Sequence, residues 1–215
     1  MQPGQPKSAS IRLATERDIP VLTASLARAF ADDGMTDWVC GPRGLESDER
    51  RNRRTASLFE GYLRCLSLPH GMVYTVGDGI GGSLWSPPGT WQMGLLSQAR
   101  LVPYFVRAAG MSRLLTRFLA AQKILDRHPH APHFYLQVLG VDPSAQGHGW
   151  GAQLLNAGLE VVDKAAMPAY LETMNETNIP FYQRYGFRLT GELALPYSGH
   201  RVWFMWRDAA TSAAR

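Results

Sequence analysis

Cysteine is scarce: Cys40 and Cys65 are the only two in 215 residues. A scaffold stapled by several disulfides is thereby excluded. Long apolar runs are missing as well. No segment approaches the ~18 uninterrupted apolar residues of a membrane-spanning helix, so no membrane partner is expected. The first ten residues, Met1 to Ser10, are polar and rich in Pro and Gly, without the apolar stretch that heads a secreted precursor. The expectation is a soluble, cytoplasmic protein. A strong charge imbalance is absent too, since 22 Lys+Arg against 18 Asp+Glu leave a net charge of +4. That excess suits a small anion as readily as nucleic acid. The one basic run, Arg50 to Arg54, is flanked by Asp48 and Glu49. On a helix these charges spread around the circumference, which reads as a solvated face, and no nucleic-acid partner is expected.

What remains is core-forming material: 45% of the residues are hydrophobic and 10% aromatic. With no internal repeat and no linker-like boundary, this predicts one domain over residues 10–207, with tails at 1–9 and 208–215. A short strand at Ile11–Ala14 precedes a helix capped by Thr15, with Asp18 three residues on. Ile19, Leu22, Leu26, Ala29 and Phe30 mark its buried face, and Asp32-Asp33-Gly34 ends it. A second helix starts near Ser47-Asp48-Glu49 and runs to about Ser67. The period then changes to strands at Met72–Val76 and Gly81–Trp85, joined by the hairpin signal Gly77-Asp78-Gly79. Residues 94–127 hold two helices broken near Gly110-Met111-Ser112; in the second, Leu114, Leu115, Phe118 and Leu119 share one face. A strand at His133–Val141, a glycine loop at 142–149, a helix at 150–164 and a strand at Ala169–Thr173 form a βαβ unit. A short helix at 179–185 and two strands, near Phe187–Leu193 and Val202–Trp206, close the chain. The fold class is mixed α/β: one central mixed sheet flanked by helices.

The chemistry concentrates at Val141-Asp-Pro-Ser-Ala-Gln-Gly-His-Gly-Trp-Gly-Ala152. An apolar strand feeds a glycine loop that opens straight into an amphipathic helix with Leu154, Leu155, Leu159 and Val162 as its buried stripe. Glycines allow close backbone approach, and the free amides and dipole of a helix start attract an anion such as a pyrophosphate. A P-loop would need Lys-Ser/Thr after the last glycine, where Ala152-Gln153 stand. A dinucleotide fingerprint would place its first glycine at the strand end, whereas five residues separate Val141 from Gly147. Gln/Arg-x-x-Gly-x-Gly/Ala between strand and helix is met in full by Gln146, Gly149 and Gly151. That pattern resembles the acetyl-CoA loop of the GNAT N-acetyltransferase superfamily. A second segment, Asn178-Ile-Pro-Phe-Tyr-Gln-Arg-Tyr-Gly-Phe187, follows about 30 residues later. It resembles the family's Asn-x-x-Φ-Tyr-x-x-x-Gly-Phe helix at Asn178, Phe181, Tyr182, Gly186 and Phe187. Its own residues read as a helix with Asn178 as N-cap, Pro180 in the first turn and Gly186 as the C-terminal stop. The likeness covers roughly residues 10–207 and looks most similar to puromycin-N-acetyltransferase-like members.

The resemblance implies an acetyl-CoA-dependent N-acetyltransferase without a metal, acting by direct attack of a neutral primary amine of a small molecule on the thioester. Tyr182 would protonate the departing thiolate, a phenol near pKa ~10 donating to a thiol near ~8.5. Tyr185, three residues on, is its rival. Backbone amides around Leu139, Gly140 and Val141 would receive the carbonyl oxygen. Gln146, Gly147, His148, Gly149, Trp150, Gly151 and Ala152 would bind the pyrophosphate by main chain, and Asn175 or Asn178 would bond the pantetheine arm. Many members carry a carboxylate on the strand before the loop, but Phe134-Tyr-Leu-Gln137 offers none. Glu172, on the next strand, is then the base; holding the substrate ammonium, or serving as an ordinary strand residue, are the other readings of it. The missing carboxylate also suits a non-catalytic acyl-CoA-binding sensor or scaffold. The acceptor pocket is expected from the N-terminal helices and the 86–112 region. Asp32-Asp33 would supply negative charge at its mouth, and Trp38, Trp85 and Trp91 would serve as walls or core. His128, His130 and His133, spaced by prolines without a nearby Cys or carboxylate, read as a surface loop rather than a zinc site. No heptad or self-complementary patch reveals an oligomeric state.

Overall fold

A computed structural model describes residues 10–92, 94–195 and 199–210. The expected tail at 1–9 lies outside these, as do residues 211–215 of the tail expected at 208–215; Asp208, at the start of that second tail, accepts a hydrogen bond from Trp206 Nε1 at 2.9 Å. The chain enters through β1 (Ile11–Leu13) and a single 3-10 turn closed by a Thr15–Asp18 capping box. It continues as α1 (Ile19–Ala29), α2 (Gly34–Cys40) and α3 (Asp48–Tyr62). The hairpin β2 (Val73–Val76) and β3 (Gly81–Ser86) leads to α4 (Leu95–Ala109) and α5 (Leu114–Leu125). Then come β4 (Phe134–Val141), α6 (Trp150–Lys164), β5 (Ala169–Thr173), α7 (Ile179–Gln183), β6 (Arg188–Ala194) and β7 (Arg201–Arg207).

Helix α2 escaped the sequence reading. Asp32-Asp33-Gly34 reads as a stop signal, yet α1 already ends at Ala29, and Asp33 begins the next helix by accepting the Met35 N–H at 2.8 Å. An aspartate before a glycine marks a helix boundary of either kind, and here its side chain caps the helix that follows. The basic run also needs correction. Arg51 is buried, not solvated; it reaches Asp37 and the Gly41 carbonyl, while Arg54 donates to the Ala108 carbonyl and pairs with Glu46. These arginines tie α3 to α2 and α4. Leu115, Phe118 and Leu119, predicted to share one face of α5, stand exposed, and Ala120 and Ile124 are the residues it buries.

The seven strands form one sheet in the order β1-β2-β3-β4-β5-β7-β6. All pairings are antiparallel except β4 with β5, the pair that α6 bridges. One face packs on α6 and α7 through Trp85, Leu136, Leu155, Leu159, Leu171, Tyr182 and Met205. The other carries α1 and α3 on Val73, Leu84 and Val138, and α2, α4 and α5 around Tyr170 and Phe204. The predicted stripe of α6 is buried at all four positions.

Strand β4 is irregular in two places. First, Leu84 faces Val138 but Trp85 faces Leu136, so Gln137 is an extra residue, a β-bulge. The bulge switches which face the later residues of β4 present. Leu136 points to α6, whereas Val138 packs with α1 and α3. Ser67, at the end of a π-helical turn that extends α3 (Leu63–Ser67), donates to Gln137 Oε1 at 2.9 Å and fixes the bulged side chain. Second, β4 and β5 pair only from Phe134↔Ala169 to Leu136↔Leu171 and then diverge.

Gly158 sets how closely α6 lies on the sheet. A Cβ there would stand 2.2 Å from Trp85 Nε1, and Trp85 is fully buried in β3. We expect Gly158→Ala to lower stability by about 1–3 kcal/mol through overpacking. Gly191→Ala meets only Phe204 Cδ2 at 3.8 Å and is the control. Equal urea midpoints for the two variants would refute this account.

Candidate active site

The divergence of β4 from β5 leaves the main chain of residues 137–141 without a strand partner on that side. Asp142 N–H donates to Ile80 O on the β3 side. By the alternation of an antiparallel ladder, the groups of Gly140 also turn to β3, while those of Leu139 and Val141 turn to the open cleft. Of the three residues expected at the acyl carbonyl, two therefore present their backbone there. Gly140 has a packing reason to be glycine, since its Cβ would meet Phe30 at 2.7 Å.

Asp142 anchors the head of the glycine loop. It accepts Ser144 N–H at 3.0 Å, Ser144 Oγ at 2.7 Å and Arg28 Nε at 2.7 Å, tying the loop to α1. Gln146 turns back to donate to Val141 O at 3.1 Å, and His148 Nδ1 lies 2.9 Å from Gln146 O. Gly147 (φ +82°) and Gly149 (φ +77°) adopt the left-handed conformation that favours glycine. Gly149 is the N-cap of α6, with no side-chain cap, and Gln153 is the first residue to bond back to it. The amides of Trp150, Gly151 and Ala152 thus remain available at the positive end of the helix. Gly151 adopts no left-handed φ, and among the described residues no atom beyond its chain neighbours and its own helix backbone lies within 4 Å of where its Cβ would stand. The fold gives no reason for a glycine in that first turn, but a ligand lying against the backbone would. The unpaired β4 edge, the uncapped helix start and this open glycine together fit a pantetheine arm and pyrophosphate.

Tyr182 lies on the α6 side of the sheet, 7% exposed, packed edge-on to Phe181 and Phe187. Burial pushes its phenol well above the ordinary value, and the charge of Asp33 adds to the shift. Tyr185 is less buried and packs beside Phe181, with its carbonyl accepting Arg207 Nε at 2.9 Å. Asn178 does not cap as expected: its backbone is helical and its side chain makes no cap bond. The capping side chain is Asn175, whose Oδ1 accepts Thr177 N–H at 3.1 Å and Thr177 Oγ1 at 2.7 Å. The extra 3-10 turn Glu176–Asn178 moved the cap three residues upstream.

On the other sheet face, Glu172 is the first residue of β5 beyond its pairing with β4. Its carboxylate accepts Tyr170 Oη at 2.9 Å and Tyr135 Oη at 3.3 Å. The carboxylates of the α1–α2 turn divide. Asp32 is exposed and pairs with Arg43, whereas Asp33 is half-buried. Burial raises Asp33, nearby Asp37 adds to this, and the Met35 N–H and His200 oppose it. Gly34 brings this turn against Met174, just past β5, and His200, just before β7, since its Cβ would stand 3.1 Å from Met174 O and 3.4 Å from His200 Nδ1. That contact escaped the sequence reading. Of the three tryptophans, Trp38 and Trp85 are core and Trp91 stacks on His128 at 3.8 Å. The histidine loop is corrected as well: His130 is exposed, but His128 and His133 are buried. No group of three or more His, Cys, Asp or Glu is placed to hold a metal among the described residues. Nor is any helix among them long and apolar enough to cross a membrane.

Residues 107–189 match the model of the acetyltransferase (GNAT) domain. An uncharacterized N-acetyltransferase of Schizosaccharomyces pombe is 28% identical over 196 residues, 86% of this chain and 77% of that protein. A crystal structure described as histone acetyltransferase HPA2 and related acetyltransferase, from Corynebacterium glutamicum, superposes with a TM-score of 0.70. The two are 26% identical, and the match covers 96% of this chain and 99% of that one. Arylalkylamine N-acetyltransferase 2 from Aedes aegypti shares the fold, with a TM-score of 0.57 at 11% identity over 94% of this chain and 99% of the other. Sheet, glycine loop and relatives agree that this chain carries a GNAT acetyltransferase domain and is an enzyme of that type, using acetyl-CoA.

Proposed function

We propose that the protein transfers the acetyl group of acetyl-CoA to the primary amine of a small molecule by direct attack. The observation that carries this reading is the cleft where β4 leaves β5. It has backbone without a strand partner on one side, Tyr182 on the α6 face of the sheet, and Glu172 on the opposite face. Leu139 and Val141 offer main-chain groups to the acyl-pantetheine end. Gln146 to Ala152 hold the pyrophosphate, with Gly149 and Gly151 giving the close approach. Asn175 is the better placed of the two asparagines to flank the arm, although its Oδ1 is already engaged by Thr177.

The amine enters between the α1–α2 turn and the β6–β7 connection, where half-buried Asp33 favours a cationic acceptor. Glu172 removes a proton from the nitrogen as the N–C bond forms. Tyr182 gives a proton to sulfur as the C–S bond breaks, and its raised proton affinity keeps the phenol protonated at neutral pH. An acceptor of the kind handled by puromycin-N-acetyltransferase-like enzymes suits this arrangement. The test is a panel of small primary amines, N-terminal peptides and lysine peptides with acetyl-CoA, read by thiol release and product mass. Acetylated small amines support the proposal. Acetylation of peptides alone replaces the acceptor class, and binding without transfer to any amine leaves the sensor reading.

A further inference from the structure

Two buried histidines stand behind the carboxylate assigned as base, and their hydrogen bonds define where the protons lie. His133 Nδ1 is 2.6 Å from Ala131 O. A carbonyl only accepts, so this nitrogen carries hydrogen. Burial lowers the proton affinity of His133, with His128 adding to that while the Ala131 carbonyl and Glu172 oppose it, so the ring is neutral and its Nε2 is a lone pair. His133 Nε2 lies 3.0 Å from His128 Nε2. The hydrogen between them therefore belongs to His128. That leaves His128 Nδ1, which faces Glu172 Oε1 at 3.6 Å. With Nε2 protonated in a neutral ring, Nδ1 is a lone pair confronting a carboxylate oxygen in a buried site, an arrangement that costs free energy and is relieved when the pair takes up a proton.

We propose that His128 is the positioning partner of Glu172: the pair is bare before reaction, and the proton taken from the acceptor amine draws the carboxylate and His128 Nδ1, 3.6 Å apart here, into one carboxylate–imidazole pair. The inference rests on the reading of Glu172 as base. The surroundings suit such a pair. The His128 side chain is 1% exposed and that of Glu172 is 17%, so the carboxylate is the end of the chain that meets the cleft. Trp91 stacks on the imidazole, and Tyr135 and Tyr170 meet it edge-on. The titratable groups facing the pair are Tyr135 on β4, Tyr170 on β5, Tyr62 on α3 and His133. Burial and the Glu172 charge push all three phenols up, Tyr62 to about 12, so they stay protonated and donate or remain neutral over the working range.

In the step itself the amine N–H bond breaks as the N–C bond forms. The proton passes to a Glu172 oxygen and on to His128 Nδ1. The C–S bond breaks and sulfur takes the Tyr182 proton. The pair afterwards loses its proton to solvent through the partly accessible carboxylate, and Tyr182 regains one.

The first test uses nitrogen-15 histidine spectra of the wild-type protein without acetyl-CoA, from about pH 5 to 9. At neutral pH the expected result is a neutral Nδ1–H tautomer for His133 and a neutral Nε2–H tautomer for His128. Glu172→Gln should change the His128 Nδ1 signal and leave the His133 tautomer in place. A neutral Nδ1–H tautomer of His128, or a His128 Nδ1 signal indifferent to Glu172→Gln, would overturn the proposal. The second test compares kcat against pH for wild type and His128→Asn. Loss of the imidazole should shift the rising limb at least one unit to lower pH and cut the plateau at least 10-fold. An unmoved limb with an intact plateau would reduce His128 to packing. The spectra need no turnover, so they decide on the pair even if no amine is acetylated. Full activity of Glu172→Gln would instead overturn the base assignment itself.

Discussion

Tyr182→Phe is expected to lower kcat about 100-fold, the scale of a lost general acid, while leaving acetyl-CoA affinity within about twofold of wild type. The ring would keep its packing on Phe181 and Phe187. No described residue hydrogen-bonds the hydroxyl, and the causes of its shift are burial and the Asp33 charge alone, so folding stability should not fall. The sign of the pH effect comes from the same burial. An acid must be protonated to act, and a raised proton affinity extends its active form upward. Wild-type kcat should therefore show no falling limb from Tyr182 below about pH 10. Full kcat in Tyr182→Phe at every pH would remove this residue as the acid, and Tyr185→Phe would then be the variant to measure.

Gly151→Leu should separate binding from folding. Leucine is a strong helix former, glycine in a helix costs about 0.5–1 kcal/mol relative to alanine, and open space surrounds the position. The melting temperature is expected to hold or rise. The added side chain would occupy the approach to the amides of Trp150 to Ala152, and acetyl-CoA affinity should fall at least 10-fold, or about 1.4 kcal/mol. Calorimetry and thermal melts on the one variant check both halves. Unchanged affinity would mean that the first turn of α6 does not hold the pyrophosphate. A large loss of stability would mean that the glycine serves the fold.

The cofactor half of the molecule was legible because its signals are local. The 3.6-residue spacing of Leu154, Leu155, Leu159 and Val162 fixes the buried side of α6, and the glycines before it mark a loop that takes backbone conformations other residues resist. The βαβ unit followed from the strand–loop–helix order, and β5 and α6 have the boundaries their composition suggested. The half proposed to take the acceptor was not legible, since its features arise only when distant segments meet. Gln137 looks like any strand residue; its bulge depends on the register against Leu84 and Trp85. His128 and His133 follow prolines or precede them in a polar stretch, and only the rings of Trp91, Tyr135 and Tyr170 make that stretch a buried cluster. Arg51 is charged in a charged run, and its burial needs Asp37 and Gly41 from the preceding segment. Asp33 carried a true signal of the wrong kind, read as an end when it was also a beginning.

The most direct measurement is titration of the purified protein with acetyl-CoA by calorimetry, with NADH and ATP as controls. The β4 edge and the α6 start predict saturable binding of acetyl-CoA with a Kd below about 1 mM, the upper end of ordinary substrate affinities, and markedly weaker binding of both controls. Absence of heat at millimolar acetyl-CoA, or equal binding of ATP, would contradict the assignment of this cleft to the acyl donor.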